Sequence, residues 1–214
     1  MQHLDALLRL AQQTQVRRVF LLSGTEVFAP GNTPVETDVP SPQTEEGLLL
    51  ARLETVGNVY REQGLPVSIL RMAELYAPGQ TSDDGFVGRL FGAFLMGRAL
   101  PQYDDPAQVS YGLLDARDAV YAVCQAAVRN FEGAYLHVAA PHGTTMEEFY
   151  RICGDFFPSM RMGAKPRAPQ GHAVLHSAII ERDLGWRPRR PLAEGLKETY
   201  EAMQAARDAY MNDI

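Results

Sequence analysis

The strongest indication of the fold lies in VFLLSGTEVFAPGNTPVETD, residues 19–38. This segment begins within an apolar run with polar flanks, RRVFLLS (17–23), which is typical of a strand buried on both faces of a parallel sheet. The loop that follows, over 29–42, is rich in proline, glycine, threonine and aspartate. We therefore expect a buried strand whose carboxyl end opens into a long connection, as in α/β proteins.

The segments on either side continue this pattern. Leucines and alanines at helical spacing predict a surface helix over 2–14. A second helix is expected over about 42–63, with Ser41 or Thr44 as its cap. A second buried strand is expected within LPVSILRMAELYAPG (65–79).

Strands and helices alternate through the rest of the chain. The remaining predicted elements are a helix over 84–100, a short strand entering a helix over 110–130, a strand over 133–141, a helix over 144–157, a proline-rich stretch over 158–170 and a final helix over 192–211. Glycines in the first of these helices indicate close packing, and Asp118 is expected to cap its own helix. The order predicts an α/β fold with parallel strands and helices on both faces of the sheet.

Composition narrows the classes of function. The chain has 214 residues, of which 46% are hydrophobic, enough for one domain or one and a half. Its formal net charge is −6 and it has no run of lysine or arginine, so we expect no nucleic-acid partner. Apolar runs fall short of the roughly 18 residues of a membrane span, and the start lacks the features of a signal peptide. We expect no membrane partner and a cytoplasmic location.

Cysteine, histidine and serine give no local sign of reactive chemistry. Cys124 and Cys153 lie in apolar helical patterns and are interpreted as reduced core thiols. The five histidines show no metal-ligand spacing with cysteine or acidic residues, so no metal site is expected. Ser23 precedes a glycine in LSGTE, which differs from the G-x-S-x-G turn of hydrolases. The aromatics of FYRICGDFF (149–157) and Trp186 are interpreted as core residues.

Five motifs together resemble a known family. They are VRRVFLLSGTEVFAPG (16–31), PVETDVPSPQT (34–44), LPVSILRMAELYAPGQ (65–80), LLDARDAVYAV (113–123) and DLGWRPRRPLAEGLKET (183–199). Their sequence and order resemble the extended short-chain dehydrogenase/reductase family, in particular the NAD-dependent epimerases and dehydratases of nucleotide sugars. The likeness covers nearly the whole chain, and the last motif is the most specific.

The resemblance implies a Rossmann-like fold, with one departure at the start of the chain. In the family a Gly-rich turn after the first strand holds the pyrophosphate of the dinucleotide. No G-x-x-G-x-x-G occurs here, and residues 2–14 resemble a helix that follows the nucleotide-binding half. We therefore expect a truncated Rossmann-like core, a partial parallel sheet, over 1–80 and 110–140, and a small C-terminal α/β part resembling the substrate lobe over 81–109 and 141–214. No cofactor is expected for this chain alone, and NAD(P) is expected if another segment completes the site.

A second departure concerns catalysis. The family uses a Ser/Thr and a Tyr-x-x-x-Lys pair, in which the lysine lowers the pKa of the tyrosine for proton transfer. Alignment places Gly24 at the Ser/Thr, with Ser23 and Thr25 beside it, Glu46 at the tyrosine and Leu50 at the lysine. We therefore assign no catalytic residue.

Leu50 offers no charge, and the first lysine of the chain is Lys165. Glu46 is expected to interact favourably with the positive end of its helix, together with Glu45. The alternative is that Glu46 acts as a desolvated carboxylate base.

Cofactor and substrate contacts are implied weakly. The resemblance places Ser23, Met72 and Ala73 where the family contacts the cofactor. It places Glu74 where the family has an asparagine that contacts substrate phosphates, and Tyr111 where it has an arginine that pairs with the diphosphate. The charge of Glu74 would repel a diphosphate.

Two hypotheses of function follow, together with a third possibility, that the chain is a remnant of a decayed gene. The first is a catalytically degenerate epimerase/dehydratase-like protein that acts as a binding, scaffold or regulatory domain. The alternative is an active nucleotide-sugar epimerase/dehydratase or reductase whose nucleotide-binding half comes from another chain or an upstream segment, with Glu46 or Thr25 acting atypically. In either case we expect a homodimer, or association with a separately encoded N-terminal half, through the helices over 2–14 and 43–63. A small-molecule ligand is compatible with both.

Overall fold

Helices and strands alternate along the computed structural model, which describes residues 2–157, 159–164 and 171–212. The helices are α1 (Gln2–Gln13), α2 (Glu45–Glu62), α3 (Gly85–Leu95), α4 (Ala116–Val128), α5 (Met146–Gly154), α6 (Ala178–Leu184) and α7 (Leu192–Asn212). The strands are β1 (Val19–Gly24), β2 (Val67–Met72), β3 (Glu74–Tyr76), β4 (Leu100–Pro101), β5 (Ser110–Tyr111), β6 (Leu113–Asp115), β7 (Tyr135–Val138), β8 (Thr144–Thr145) and β9 (Met162–Ala164). A 3₁₀ turn, Thr25–Val27, follows β1.

A three-stranded parallel sheet in the order β1-β2-β7 forms the centre of the fold. Every residue of β2 is buried, as expected of a central strand covered on both faces. In the register, Gly24 of β1 lies opposite Met72 of β2, and Met72 lies opposite Val138 of β7. The three carboxyl ends therefore meet at one edge of the sheet. The α/β class and the parallel sheet agree with the sequence-based prediction.

The second predicted strand is two strands in two different sheets. The backbone N–H of Ala73 donates to the carbonyl of Val138 in the central sheet, whereas that of Glu74 donates to the carbonyl of Gly112. The chain thus leaves the central sheet at Ala73 and continues as β3, which pairs in parallel with β6. This switch moves Glu74 away from the central sheet toward the start of α3.

The prediction for β1 was partly wrong. It forms a strand, but its residues are only partly buried, and the side chain of Leu22 is 55% exposed. The reason is topological, because no described strand pairs with the outer edge of β1. An apolar run alone does not distinguish a central strand from an edge strand.

Other local expectations also need correction. The cap of α4 is Asp115, whose carboxylate accepts from the N–H of Arg117, whereas the carboxylate of Asp118 accepts from the N–H groups of Arg189 and Arg190. Cys124 is exposed, because it lies on the outer face of its helix.

Three additional elements and one helix cap refine the predicted pattern. Helix α6 and the pair β4–β9 were not predicted. Thr44, not Ser41, caps α2 and accepts from the N–H of Gly47 at 3.0 Å. Of the proline-rich stretch over 158–170, residues 158 and 165–170 lie outside the described residues.

Two large apolar clusters form the core. The first surrounds the central sheet and includes Trp186, which is 2% exposed and was predicted to be a packing residue. The second is aromatic, contains Phe91 and Phe149, and joins α3, α5 and α7. A side chain at Gly88 or Gly92 would collide with the segment 81–82, which confirms their predicted role in close packing. Gly97 instead has a φ of +68° and lies just after α3.

The described residues contain no helix with both the length and the apolar character needed to cross a lipid bilayer.

Candidate functional site

The edge where β1 and β2 end carries the candidate site. In open parallel sheets, ligands bind outside the carboxyl ends of the strands. A cavity of about 230 Å³ lies at this edge. Its walls come from the turn and loop after β1, including Glu26 and Phe28, from the start of α2, and from His172 with its neighbours in sequence.

Gly24, the residue predicted to stand at the position of the catalytic Ser/Thr, lies against two side chains. A Cβ atom built on Gly24 would overlap the carboxylate of Glu26, and it would lie 3.3 Å from a methyl group of Leu50. The space where a side chain of residue 24 would begin is therefore filled by the carboxylate of Glu26. An acidic group and an aliphatic group surround the position of the expected hydroxyl.

Helix α2 presents Glu46 and Leu50 in different surroundings. Glu46 lies in the first turn of the helix and is exposed, next to Glu45. Leu50 is half-buried and packs against the first apolar cluster. An exposed carboxylate is not desolvated, so this environment does not favour action of Glu46 as a base near neutral pH.

The three residues that the resemblance places near the cofactor, together with Thr25, the neighbour of position 24, are buried at the end of the sheet. Ser23 is 7% exposed, and its hydroxyl has no hydrogen-bond partner among the described residues. Thr25, Met72 and Ala73 are 1%, 8% and 3% exposed. The register brings Gly24 opposite Met72, so these residues share one edge. Contact with a cofactor stays a prediction for Ser23, Met72 and Ala73.

Glu74 connects the end of β2 to the start of α3. One carboxylate oxygen, Oε1, accepts from the N–H of Phe86, and Oε2 lies 3.1 Å from Nδ1 of His172. Gly85 makes this possible, since a Cβ there would collide with Oε1. Burial raises the pKa of Glu74, but the nearby imidazole and the N–H of Phe86 outweigh it, so that the pKa lies below its usual range.

His172 is held against the cavity by its backbone. Its N–H donates to the carbonyl of Ser110 at 3.1 Å, and the approach requires Gly171, because a Cβ at that position would overlap Ser110. Burial lowers the pKa of His172, yet the charge of Glu74, with a smaller contribution from Glu26, raises it overall.

Tyr111 lies behind the imidazole of His172. The two rings are 5.0 Å apart, and Tyr111 stacks on Phe86 at 3.7 Å. Tyr111 is 6% exposed, and burial raises the pKa of its phenol. This direction is the opposite of what a phenolate base needs at neutral pH. Contact of Tyr111 or Glu74 with a substrate stays a prediction.

The structure brings together three residues that the sequence did not link, of which only Glu74 was predicted to be a site residue, for a substrate contact. Glu26, Glu74 and His172 come from three distant segments, and no local spacing links them. The nearest signal in the sequence was the glycine at position 24, because a residue without a side chain leaves space there for the carboxylate of Glu26.

The comparison with family models decides the classification. The model described as the NAD dependent epimerase/dehydratase family matches residues 2–138. The chain belongs to the NAD-dependent epimerase/dehydratase family. A search of curated proteins found no match.

Solved structures of epimerases and dehydratases share the fold. The protein MoeE5, in complex with UDP-glucuronic acid and NAD, is 24% identical, with a TM-score of 0.80 over 95% of this chain and 70% of its own. The UDP-glucuronic acid 4-epimerase of Bacillus cereus with NAD is 17% identical, with a TM-score of 0.82 over 95% of this chain and 66% of its own. DesIV, the dTDP-glucose 4,6-dehydratase of Streptomyces venezuelae, bound to NAD, is 24% identical, with a TM-score of 0.77 over 96% of this chain and 66% of its own. This chain thus spans about two thirds of the length of these proteins.

Membership of this family implies NAD as the cofactor. The residues of the candidate site fit the family's NAD-dependent reaction poorly. The expected hydroxyl is missing at Gly24, where the carboxylate of Glu26 lies. The two residues predicted to stand at the positions of the tyrosine and lysine are an exposed acid, Glu46, and an aliphatic side chain, Leu50. These groups supply neither a tuned phenol nor an ammonium group for a nicotinamide ribose.

Proposed function

We propose that this member of the NAD-dependent epimerase/dehydratase family has lost the proton-transfer chemistry of its fold and acts as a binding, scaffold or regulatory domain. One observation carries the proposal: Glu46 is exposed and Leu50 packs against the core beside Gly24. The aligned catalytic set therefore has no hydroxyl at Gly24, no phenol at Glu46 and no ammonium group at Leu50.

The chemistry explains why a small rearrangement would not restore activity. A phenol ordinarily titrates near pH 10, so proton transfer at neutral pH needs a nearby cation to lower its pKa. The chain has two lysines, Lys165 and Lys197. Lys197 lies on the surface of α7 beside Glu201, at 3.7 Å, and Lys165 lies outside the described residues. Tyr111, the tyrosine beside His172, has a raised pKa.

The edge of the sheet supports the alternative, in which another segment completes the protein. Strand β1 has no described neighbour on its outer side, and Leu22 there is 55% exposed. Leu7 and Leu10 of α1 are 63% and 54% exposed. Unpaired strand edges and apolar faces favour association. Under this alternative, a nucleotide-binding half supplied by another chain or an upstream segment would add NAD(P), and a nucleotide sugar would be the substrate.

A turnover assay tests the proposal. The purified chain would be incubated with NAD and either UDP-glucose or UDP-glucuronic acid, the nucleotide sugars bound by solved relatives. We expect no turnover above a buffer control. Turnover that falls when Glu46 is changed to glutamine would contradict the loss of chemistry.

Association is tested separately by size-exclusion chromatography with light scattering. We expect a homodimer or a complex with an N-terminal half, and Leu22→Arg should weaken it. Val128→Arg is a matched control, because Val128 is 83% exposed on the distant helix α4. A monomer at all concentrations, with no partner bound, would contradict this part of the proposal.

A further inference from the structure

Three ionisable side chains converge beside the cavity at the ends of β1 and β2. One donor atom each of Glu26, Glu74 and His172 lies within 4.8 Å of the other two. We propose that these residues bind a divalent transition-metal ion, with zinc as the best-fitting ion. The proposal differs from the sequence-based expectation of no metal site, since the three residues lie far apart along the chain.

Two of the three donors lack a hydrogen-bond partner among the described residues. The carboxylate of Glu26 makes no hydrogen bond or ion pair within the described part of the chain. Nδ1 of His172 lies 3.1 Å from Oε2 of Glu74, yet the contact falls outside hydrogen-bond geometry and leaves this buried atom without a hydrogen-bond partner among the described residues. A buried polar atom such as this nitrogen is costly unless a ligand satisfies it, whereas the carboxylate of Glu26 is only partly buried. A metal ion between the three groups would satisfy both.

The third donor is already oriented. Oε1 of Glu74 accepts from the N–H of Phe86 at the start of α3, which leaves Oε2 directed toward His172. Metal-binding carboxylates are commonly held by such an outer hydrogen bond. Two glycines make this placement possible. A Cβ at Gly85 would collide with the carboxylate of Glu74, and a Cβ at Gly171 would collide with the backbone of Ser110.

The donor set selects the class of ion. One imidazole and two carboxylates suit zinc and its neighbours in the transition series, whereas magnesium and calcium prefer ligand sets made only of oxygen. Bonds of about 2.0–2.2 Å place neighbouring ligand atoms roughly 3.0–3.5 Å apart, and the separation of 3.1 Å between His172 and Glu74 fits this range. The two carboxylates also balance the charge of a divalent ion.

The cavity provides space for a fourth ligand of the metal ion. Glu26 and His172 line a space of about 230 Å³. Three protein ligands with one open position characterise zinc sites that bind water or a further ligand. The cavity has room for a water molecule, or for an anionic group of a small molecule, at that position.

Cobalt is a visible probe for such a site. The full chain would be prepared with Cys124→Ser, which removes an exposed thiol that could bind metal. Titration with Co²⁺, followed by visible absorption, and with Zn²⁺, followed by calorimetry, should each give one equivalent bound. Mg²⁺ should not compete at similar concentrations.

Variants assign the ligands. His172→Gln and Glu26→Gln should each weaken Zn²⁺ binding at least tenfold. His142→Gln is the control, because His142 is an exposed loop residue outside the cluster. Circular dichroism melts verify that each variant is folded, which matters for Glu74→Gln because Glu74 also contacts α3. Failure of the native chain to bind one equivalent, or unchanged affinity in a folded His172→Gln variant, would overturn the proposal.

Discussion

Arg71 and Glu54 form a two-point ion pair inside the protein and fix α2 against the central sheet. Nε of Arg71 donates to Oε1 of Glu54 at 3.0 Å, and Nη2 donates to Oε2 at 2.8 Å. The two side chains are 1% and 2% exposed. The guanidinium also lies 4.8 Å and 4.4 Å from the ring centroids of Phe28 and Tyr135. Leu50 lies one helical turn before Glu54, so this pair also sets the place of Leu50 beside the candidate site.

Removing one partner of this pair should cost much of the stability of the protein. Glu54→Gln leaves the guanidinium of Arg71 buried without a counter-charge, so we expect a loss of about 3–5 kcal/mol in the free energy of unfolding. Urea denaturation measures this loss. Lys197→Gln is the control, because its pair with Glu201 is exposed, and its effect should stay below about 0.5 kcal/mol. Equal effects of the two substitutions would contradict the role of the buried pair.

The stability of the protein should depend on pH through His137. Burial, together with the charge of Arg71, lowers the pKa of His137 to about 4. Because the unfolded chain binds a proton at a pKa near 6.5 and the folded chain does not, this contribution is complete above pH 6.5 and is lost as the pH falls toward 4. The total is of the order of 3 kcal/mol.

The measurement is the free energy of unfolding at several pH values, compared with that of a His137→Gln variant. The native chain should lose more stability than the variant between pH 6.5 and pH 4. Parallel pH curves for the two proteins would show that His137 is not responsible.

Two glycines should respond to alanine with opposite signs. A Cβ at Gly47 would overlap the backbone carbonyl of Glu26, so α2 and the turn after β1 would have to separate. We expect Gly47→Ala to destabilise the protein by about 1–3 kcal/mol. In contrast, a Cβ at Gly154, at the end of α5, meets nothing within 4 Å, and Gly154→Ala should stabilise the protein by up to about 1 kcal/mol. Thermal melts of both variants show whether each substitution raises or lowers the melting temperature. A higher melting temperature for Gly47→Ala would contradict the close approach of Gly47 to the carbonyl of Glu26.

Restoring a hydroxyl at position 24 should move Glu26 rather than unfold the protein. The Cβ of Gly24→Ser overlaps the far end of the flexible Glu26 side chain, which can rotate away, and it lies 3.3 Å from a methyl group of Leu50, which must give way slightly. The expected loss of stability is below about 1 kcal/mol. Binding of Co²⁺ should weaken as it does in Glu26→Gln, measured by the same absorption titration. Unchanged Co²⁺ affinity in Gly24→Ser would contradict the placement of Glu26 in the cluster.

The sequence predicts the elements of the fold well where the pattern is local. Helical spacing located α1, α2, α5 and α7, and the apolar run of β2 predicted a fully buried strand. The sequence does not predict which strands lie beside a given strand, because an apolar run is the same in the middle and at the edge of a sheet. This explains why the exposure of Leu22 was not predicted. The break at Ala73 was missed because it depends on hydrogen bonds to two other strands.

The candidate site was predictable only in part, for the same physical reason. Gly24, Glu46 and Leu50 could be located because they lie in motifs that align locally with the family. His172 and Glu26 could not, because their proximity to Glu74 depends on the approach of Gly171 to Ser110 and on the turn after β1. Contacts of this kind are set by the tertiary fold and leave no periodic pattern in the sequence.

The loss of dinucleotide chemistry can be examined by calorimetric titration of this 214-residue chain with NAD and NADH. Because this sequence has no Gly-rich turn for the pyrophosphate and Leu50 cannot hold the nicotinamide ribose, we expect no binding in the micromolar range, both in the native chain and in the Glu46→Gln and Leu50→Ala variants. A micromolar dissociation constant in the native chain that rises in either variant would contradict this expectation.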